Sequence, residues 1–285
     1  MSILLLTMCH QADIEWLRRW IAHNEKFAKN RGDLMVIMDG YSAEMDAVAK
    51  GCSVIKLSLS AEQRSNFDRK RLIFIHKIIN SFLNLYRYVV FTDVDEFILL
   101  HPDSGKDLVC YLDEKEHDGI ALSPVGLELL FQQNDPPLNP DLPLLKQRQY
   151  GFLSEAYCKP CIVHRNIKRG HQHKIVGDKW TIDNNIFLFH GKFADENLFE
   201  ERRIERHKTK EKYISKQHRT WDYDVAEREL RRVVRRFLSS EEEVLSPRTV
   251  EPYLVDFKRE REETGRVSFK TIGRFRIPEE LTDLL

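Results

Sequence analysis

Three carboxylates follow an apolar, β-branched run near the middle of the chain. Residues 87–91 predict a buried strand, and Asp93, Asp95 and Glu96 come soon after it. Acidic side chains in an apolar setting need compensation, which at the end of a parallel strand is often a hard cation or a bound ligand. In extended geometry Asp93 and Asp95 point the same way and Glu96 points to the other face. The spacing therefore favours a divalent cation shared by Asp93 and Asp95, with phosphate oxygens as further ligands, over a solvated turn.

Two further polar side chains stand at the ends of predicted strands. Asp39 follows the apolar run 34–38, and His190 follows the apolar run 186–189. Ligands of α/β proteins bind in the crevice beyond the carboxyl ends of the strands, so we expect Asp39 to share that crevice with Asp93 and Asp95. A single histidine at a strand end is more often structural than functional. Its position after the two aspartates is what favours a role for His190.

Strand and helix patterns alternate through the first hundred residues. Apolar runs at 3–8, 34–38, 54–57 and 88–91 predict strands, and helices are predicted after Asp13, from Ser42 and across 67–85. This alternation predicts βαβ units and an α/β fold built on a parallel sheet. Later strands are expected at 161–163 and 186–189.

The chain of 285 residues divides by composition. Residues 1–200 hold the predicted sheet and the catalytic candidates, whereas 201–285 are highly charged and predict a helical C-terminal region that packs on the first domain or extends from it. Within the first domain, 123–150 lose their periodicity and become rich in Pro, Asn and Asp. A loop of this length is usually functional, and we expect 124–150 to be a mobile lid that covers the site when ligands bind.

Charge and composition exclude several classes of protein. Lys+Arg and Asp+Glu number 45 each and 42% of residues are hydrophobic, so we expect an ordered globular protein that binds no nucleic acid. No apolar run reaches membrane-spanning length, which favours a cytoplasmic protein. The basic stretch 200–236 predicts either a solvated helix or peripheral contact with anionic lipid on the inner face of the plasma membrane. Its cations are Arg202, Arg203, Arg206, Lys208, Lys210, Lys212, Arg231, Arg232, Arg235 and Arg236.

Five cysteines are scattered through the chain, and Cys158 and Cys161 have C-x-x-C spacing. His164, His171 and His173 lie near enough in sequence to complete a zinc site. The favoured interpretation is nevertheless incidental strand cysteines in a protein of a reducing compartment.

Four segments together follow a known pattern. They are Asp13-Ile14-Glu15-Trp16-Leu17 with Ala22-His23-Asn24, then Met38-Asp39-Gly40-Tyr41-Ser42, then Thr92-Asp93-Val94-Asp95-Glu96-Phe97, and last Lys159-Pro160-Cys161-Ile162-Val163 followed by His171, His173 and Phe189-His190. In this order they resemble the GT-A-fold nucleotide-sugar glycosyltransferases, specifically the family 2-like group with a D-x-D-E-F motif. The resemblance covers 3–210. Two positions depart from it: residues 9–11 read Cys-His-Gln where an Asn-Glu pair is usual, and Gly191 stands where an aromatic residue is usual.

This resemblance implies a GT-A (Rossmann-like) fold, with a mixed, mostly parallel sheet flanked by helices and a helical C-terminal appendage. It implies metal-dependent transfer of a sugar from a nucleotide-sugar donor to a glycan or lipid-linked acceptor, in the synthesis of a surface polysaccharide such as lipopolysaccharide or capsule. Asp39 is then expected to accept a hydrogen bond from the base, and Asp93 to meet the ribose. Asp95 and His190 are expected to hold Mn²⁺ or Mg²⁺ against the diphosphate.

Cations near the start of the 67–85 helix are candidates for binding the diphosphate or the nucleoside. They are Arg64, Arg69, Lys70 and Arg71. A solvated basic face is the alternative. Lys70 is the candidate chosen, because the apolar face that fixes the helix against the sheet follows it.

An inverting transferase, the mechanism expected here, needs a carboxylate that takes the proton of the acceptor hydroxyl. Glu155 is the favoured base, and Asp183 and Asp178 are the alternatives. A retaining enzyme would not need this base, and the sequence does not distinguish the retaining from the inverting mechanism.

Because clustered carboxylates repel one another, Asp95→Ala is expected to keep or raise the melting temperature.

Two other functions use the same residues differently. A nucleotidyltransferase, or another Mg²⁺-dependent phosphate-transfer enzyme such as a phosphohydrolase, could hold metal with the same aspartates. A nucleotidyltransferase usually carries a glycine-rich phosphate loop after its first strand, and residues 9–11 offer none. A non-enzymatic module that binds an anionic surface through 200–236 leaves the strand-end carboxylates without a function. A metal-dependent glycosyltransferase is therefore the favoured interpretation.

Overall fold

The computed structural model describes residues 2–285 except 41, 60–62, 64–66, 133, 169, 172–173, 177–178, 203, 205–233, 235–236, 238 and 265–270. Several residues singled out above lie outside this described part. They are Arg64, His173, Asp178, Arg203, Arg206, Lys208, Lys210, Lys212, Arg231, Arg232, Arg235 and Arg236.

Strands and helices alternate in the first hundred residues, as predicted. The strands are β1 Ile3–His10, β2 Leu34–Asp39, β3 Ser53–Leu57, β4 Tyr88–Phe91, β5 Glu96–Leu100, β6 Ala121–Leu130, β7 Tyr150–Ser154, β8 Ile162–Val163, β9 Gly170–His171, β10 Lys174–Ile175, β11 Trp180–Phe193, β12 Glu242–Val244 and β13 Thr271–Arg276. The helices are α1 Ile14–Asn24, α2 Ala43–Val48, α3 Phe67–Phe82, α4 Leu108–Glu114, α5 Leu144–Gln147, α6 Pro247–Thr264 and α7 Glu279–Thr282. Residues 196–202 are also helical.

The central strands are apolar on both faces, which places them in the middle layer of three. Along β1, Ile3 and Leu5 pack into one core, while Leu4 and Leu6 pack into a second core on the opposite face. This division follows from the alternation of side chains along a strand. Helices α1, α2 and α4 contribute to the first core and α3 contributes to the second. The mixed α/β architecture, a large sheet flanked by helices, is therefore confirmed.

Four parallel strands form one half of the sheet in the order β3-β2-β1-β4. Their carboxyl ends lie at one edge, where β1 ends at His10, β2 ends at Asp39 and the acidic segment follows β4. Asp39 and the acidic segment share this edge, as predicted. Because β1 lies between β2 and β4, they are separated by about 10 Å across the sheet.

The other half of the sheet is mixed rather than parallel. It continues from β4 through β8, β6, β7, β13 and β12, with β11 beside β6 and β5 beside β11. Of these pairs, β11–β6 and β12–β13 are parallel, and the other described pairs are antiparallel. The sheet is therefore parallel in its first half and mixed in its second, and the alternating pattern of the first hundred residues did not reveal this second half.

The long loop predicted over 123–150 is shorter in the structure. Residues 121–130 form β6, which is buried along its whole length. Much of the following segment is held by arginines: Arg19 donates to the carbonyls of Asn139 and Leu142 at 2.5 and 3.0 Å, and Arg148 donates to the carbonyl of Pro136 at 2.7 Å. A lid spanning 124–150 is therefore wrong, because 124–130 are a central strand and these bonds fix the loop that follows.

The described part of 201–285 is joined to the same sheet. Strand β13 pairs antiparallel with β7, and β12 pairs parallel with β13. Helix α6 packs Val250, Leu254 and Phe257 into the first core, and the carbonyl of Leu285 accepts the N–H of Leu145 at 3.0 Å. The expected C-terminal helices are present, and the region also extends the sheet by two strands.

Candidate functional site

The acidic segment forms a turn between β4 and β5. The N–H of Glu96 donates to the carbonyl of Asp93 at 3.0 Å, and Glu96 Oε2 accepts the N–H of Asp93 at 2.8 Å. The extended geometry expected from the sequence is therefore wrong, because the chain turns between these two residues. As a result Asp93 and Asp95 meet different partners, and Glu96 lies beside Asp93 rather than on the opposite face.

Lys159 compensates two of the three carboxylates. Its Nζ lies 2.6 Å from Glu96 Oε1 and 3.4 Å from Asp93 Oδ2, while Arg71 Nη1 lies 3.7 Å from Asp93 Oδ1. Burial alone would raise the pKa of Asp93, but Lys159 and Arg71 outweigh it and bring that pKa to about 2. Burial alone would lower the pKa of Lys159, but the carboxylates of Asp93 and Glu96 raise it. Both Asp93 and Lys159 are therefore charged at neutral pH.

Asp95 faces His190, the other residue nominated as a metal ligand. His190 Nε2 lies 3.4 Å from Asp95 Oδ2, and its Nδ1 lies 2.8 Å from Glu128 Oε1. The strand register produces this meeting, because His190 on β11 is opposite Glu96 on β5 and Glu128 on β6. Burial alone would lower the pKa of His190, but Glu128 and Asp95 raise it to about 10. The imidazole is therefore cationic in this arrangement.

An aromatic ring covers that imidazole. The ring centroid of Tyr157 lies 4.1 Å from that of His190, with 31° between the planes. Tyr157 belongs to a 3-10 turn that passes very close to β6, since a Cβ on Gly126 would lie 2.3 Å from the carbonyl carbon of Tyr157. Glycine at this position is what lets the turn approach. Burial raises the pKa of Tyr157 well above its usual range, so the phenol stays neutral against the cationic ring.

Arg202 enters the acidic cluster from the helical residues 196–202. Its Nη1 lies 2.6 Å from Asp95 Oδ2, and its Nη2 lies 2.8 Å from Asp13 Oδ1. Burial alone would raise the pKa of Asp95, but Arg202 and His190 hold it well below its usual range. The basic stretch 200–236 predicts a surface position for Arg202, and this is wrong, because its side chain is only 15% exposed.

Helix α1 braces the acidic turn from one side. Trp20 Nε1 donates to Thr92 Oγ1 at 2.8 Å, and His23 Nε2 donates to the carbonyl of Ile98 at 2.7 Å. These two bonds hold residues on either side of the turn. They explain why the helix near the N-terminus and the D-x-D-E-F segment belong to one site despite their separation in sequence.

Trp16, one turn earlier on α1, accounts for an unusual residue on β11. A Cβ on Gly191 would lie 2.4 Å from Trp16 Cη2. The Trp16 ring thus fills the space that a side chain at position 191 would need. This accounts for glycine at a position where the resembling family usually has an aromatic residue. The guanidinium of Arg202 lies over the same ring, 5.7 Å from its centroid, at a distance typical of a cation–π contact.

The two residues proposed for donor binding outside the turn are differently placed. Asp39 is largely buried at the end of β2, opposite His10 on β1. Lys70 is exposed, and its neighbour Arg71 is the residue that reaches Asp93. Successive side chains on a helix differ by about 100° in direction, so only one of two adjacent cations can face the turn. Arg71 is therefore the cation that contacts the turn, and donor binding by Lys70 stays a prediction.

Neither carboxylate proposed as the base is suitably placed. Glu155 is 0% exposed in the 3-10 turn after β7, so in this position it cannot contact an acceptor. Asp183 lies seven residues before His190 on β11, but a bulge between Asp183 and Phe187 shortens this distance. Their partners on β6, Pro124 and Glu128, are four residues apart, a separation on the order of 13 Å along the strand. Its carboxylate is bound by Lys115 at 2.6 Å and Tyr111 at 3.0 Å. These contacts indicate a structural role for Asp183.

Sequence reasoning missed several members of the cluster. Lys159 belongs to the motif segment 159–163, but no role was assigned to it. Glu128 is a single carboxylate within the apolar run 125–130, a pattern that indicates a buried and compensated charge. Tyr157 and Arg202 carried no local signal, because their partners are distant in sequence. Glu96 was recognised but assigned to the wrong face.

Mn²⁺ accepts both carboxylate oxygen and imidazole nitrogen, so Asp95 and His190 could together hold a divalent metal once the imidazole has given up its Nε2 proton. Glu128 binds Nδ1 of the imidazole and so directs Nε2 towards Asp95, as carboxylates do for metal-binding histidines. In the described ranges, no group of three or more His, Cys, Asp or Glu side chains could hold a metal ion. The pair therefore fits a metal whose remaining ligands come from another molecule, such as a phosphate group.

The cysteine pair flanks Lys159, and burial raises the pKa of the Cys161 thiol to about 12. Cys158 and Cys161 are buried thiols that are not joined in a disulfide, and Cys158 Sγ accepts the N–H of Gly126 at 3.3 Å. The side chains of His171 and His173, which a zinc site would need, lie outside the described residues.

Among the helices that the structure describes, none has both the length and the apolar character required to cross a membrane.

No family model and no curated protein matches the chain. Similar solved structures include S. aureus TarS, with 12% identity and a TM-score of 0.34 over 72% of this chain and 39% of that one. TarS 1–349 in complex with UDP has the same identity and TM-score, over 72% and 65% of the two chains. The galactosyltransferase LgtC, in complex with donor and acceptor sugar analogues, has 15% identity and a TM-score of 0.26, over 44% and 46%. The chain spans less than two thirds of each of these proteins. Because the TM-scores are below 0.5, the fold of this chain is defined by its own strand order.

Proposed function

We propose that this chain is a glycosyltransferase that takes a sugar from a nucleotide-sugar donor with the help of a divalent metal ion. The observation that carries the proposal is the pairing of Asp95 with His190, 3.4 Å apart, beside the carboxyl edge of four parallel strands. A metal held by two protein ligands has coordination positions left for phosphate oxygens. The crevice at this edge is where α/β folds bind nucleotides, and the D-x-D-E-F resemblance supports the same assignment.

The residues around the turn divide the work of binding the donor. Arg71, whose side chain is 24% exposed, is proposed to pair with the diphosphate. Lys159 holds Asp93 and Glu96 in place, so that Asp93 can accept from a ribose hydroxyl, and Asp39 is proposed to accept from the base. Mn²⁺ or Mg²⁺ held by Asp95 and His190 would neutralise the negative charge that develops on the departing diphosphate.

The acceptor is proposed to be a glycan or a lipid-linked saccharide of a surface polysaccharide, as the resemblance implies, and the enzyme to act in the cytoplasm. Arg202 is engaged by Asp95 and Asp13. Peripheral membrane contact would therefore depend on the other cations of 200–236. Co-sedimentation with anionic vesicles at low salt tests this part, with neutral vesicles as the control. Protein that stays in the supernatant with both would contradict membrane contact and leave the transferase proposal standing.

Calorimetric titration with UDP, GDP and ADP, in Mn²⁺ and in EDTA, tests the donor site. We expect one of these nucleotides to bind only when the metal is present, and Asp95→Asn to lose that binding. Asp118→Asn is the matched control, because the Asp118 side chain is 73% exposed and contacts Lys179 rather than the cluster. Equal binding in EDTA would contradict a metal-bridged site.

Product analysis separates sugar transfer from phosphate transfer. Incubation with candidate nucleotide sugars, followed by NMR, should show release of a nucleoside diphosphate. Release of a nucleoside monophosphate instead would indicate the alternative, a Mg²⁺-dependent phosphate-transfer enzyme. The 3-10 turn Gln11–Asp13 follows β1 directly, at the place where a nucleotidyltransferase usually has a glycine-rich loop, and this supports the first outcome.

A further inference from the structure

We propose that Arg202 occupies the cation position of this site in the free enzyme, so that a divalent metal must displace it from Asp95. The inference rests on the proposed function, since it concerns the metal that this function requires. It gives Arg202 a part in donor binding instead of the surface role that its position in a basic stretch predicts.

The guanidinium and a metal ion would compete for one carboxylate oxygen. Arg202 Nη1 approaches Asp95 Oδ2 at 2.6 Å, and the same oxygen faces His190 Nε2 at 3.4 Å. A metal bound to both protein ligands must use this oxygen or its immediate surroundings. Asp95 is only 6% exposed, so water screens little of the repulsion between two neighbouring cations. The two occupants therefore exclude one another.

Arg202 has a second anchor that does not involve Asp95. Its Nε and Nη2 bind Asp13 Oδ1 at 2.9 and 2.8 Å, and its guanidinium lies over the ring of Trp16. Both contacts can persist when Nη1 leaves the carboxylate of Asp95. Release is therefore a short movement about Asp13 and does not require the helical residues 196–202 to unfold.

An order of binding follows from this competition. A metal alone would break the Arg202–Asp95 ion pair and gain only two protein ligands, so its affinity should be low. A nucleoside diphosphate supplies further oxygens for the metal and negative charge for the released guanidinium. Wild-type protein should therefore bind metal well only together with nucleotide. A variant without the guanidinium should depend less on nucleotide, because coupling between two ligands is reciprocal.

The test is Mn²⁺ binding followed by electron paramagnetic resonance of the free ion, with and without UDP. Without nucleotide, Arg202→Gln should bind Mn²⁺ about tenfold or more tightly than wild type, within the usual range of such couplings. Arg202→Lys keeps the charge but lacks the fork that bridges Asp13 and Asp95, and should give an intermediate affinity. Arg18→Gln is the matched control, because Arg18 on α1 pairs with Glu15 and Glu44 at the surface. It should behave as wild type.

Equal or weaker Mn²⁺ binding by Arg202→Gln would overturn the proposal. Circular dichroism of each variant checks folding, and if the glutamine variant does not fold, the lysine variant must itself bind Mn²⁺ more tightly than wild type. Failure of the proposed function has a different outcome: no nucleoside diphosphate would bind to any variant under any condition. A gain in Mn²⁺ affinity without nucleotide would support the role of Arg202 even then.

Discussion

Trp20 donates its indole N–H to the hydroxyl of Thr92 across 2.8 Å. Both residues are buried, and Thr92 is the residue immediately before Asp93. The bond ties the packing of α1 to the start of the acidic turn. The position of the carboxylates is therefore set partly by a helix some seventy residues earlier in the chain.

This bond can be measured with a double-mutant cycle. We expect Trp20→Phe and Thr92→Val each to lower the free energy of unfolding, and the double variant to lose less than the sum of the two. The expected coupling is about 1 kcal/mol, the usual worth of a neutral hydrogen bond. Urea denaturation of the four proteins measures it. Strictly additive losses would show that the bond does not contribute.

Asp95→Ala should abolish metal-dependent nucleotide binding and lower the free energy of unfolding by about 3 kcal/mol. The variant leaves Arg202 and His190 charged and buried without this carboxylate. This reverses the expectation from the sequence, in which removal of one repelling carboxylate keeps or raises the melting temperature. Denaturation and calorimetry on the same variant measure both effects. An unchanged or higher stability would mean that repulsion dominates the cluster after all.

Arg71→Met and Lys70→Met form a matched pair of adjacent substitutions on α3. The first should weaken nucleoside diphosphate binding by about 1.5–3 kcal/mol, the worth of a charged hydrogen bond, because Arg71 faces the turn. The second should leave binding unchanged, because Lys70 is exposed. Calorimetry on both variants compares them. A loss confined to Lys70→Met would restore the assignment made from the sequence.

Gly191→Ala should destabilise the protein by about 1–3 kcal/mol, the usual cost of overpacking a core. The new Cβ would lie 2.4 Å from the Trp16 ring, which is buried and cannot move without disturbing Arg202 above it. Gly32→Ala is the control, since a Cβ there meets nothing within 4 Å. Thermal unfolding of both variants measures the difference, and equal melting temperatures would contradict the packing argument.

His23 should make the protein sensitive to mild acid. Burial lowers its pKa from 6.5 to about 4, so below pH 6.5 the unfolded chain takes up a proton that the folded one resists. Stability should fall as the pH drops from 6.5 towards 4, and this residue should account for about 3 kcal/mol of that loss. His23→Gln keeps a donor for the carbonyl of Ile98 but does not titrate. Its unfolding free energy, measured from pH 7 to pH 4, should be correspondingly flatter, and a curve merely displaced from wild type would argue against His23.

The residues themselves were enough to predict the first half of the fold and the edge where the site lies. The strands β1 to β4 carry apolar runs that alternate with helical patterns, and such periodicity depends only on near neighbours in the chain. Parallel strands place their carboxyl ends together, which is why Asp39 and the acidic segment could be assigned to one edge. The pairing of Asp95 with His190 was expected only from the family resemblance, since His190 lies within β11, which runs antiparallel to β5.

Tertiary structure alone decided which charge pairs with which. Arg202 reaches Asp95 across 107 positions and Lys159 reaches Asp93 across 66, and no periodic pattern links residues so far apart. On α3, the adjacent residues Lys70 and Arg71 point about 100° apart, and only the packing of the helix determines that Arg71 faces the turn. Likewise, no hydrophobic periodicity predicts the turn at Asp93. Its shape depends on the Glu96 carboxylate, which accepts the backbone N–H of Asp93. Local periodicity determines elements and edges, whereas the partners of buried charges depend on how distant elements pack.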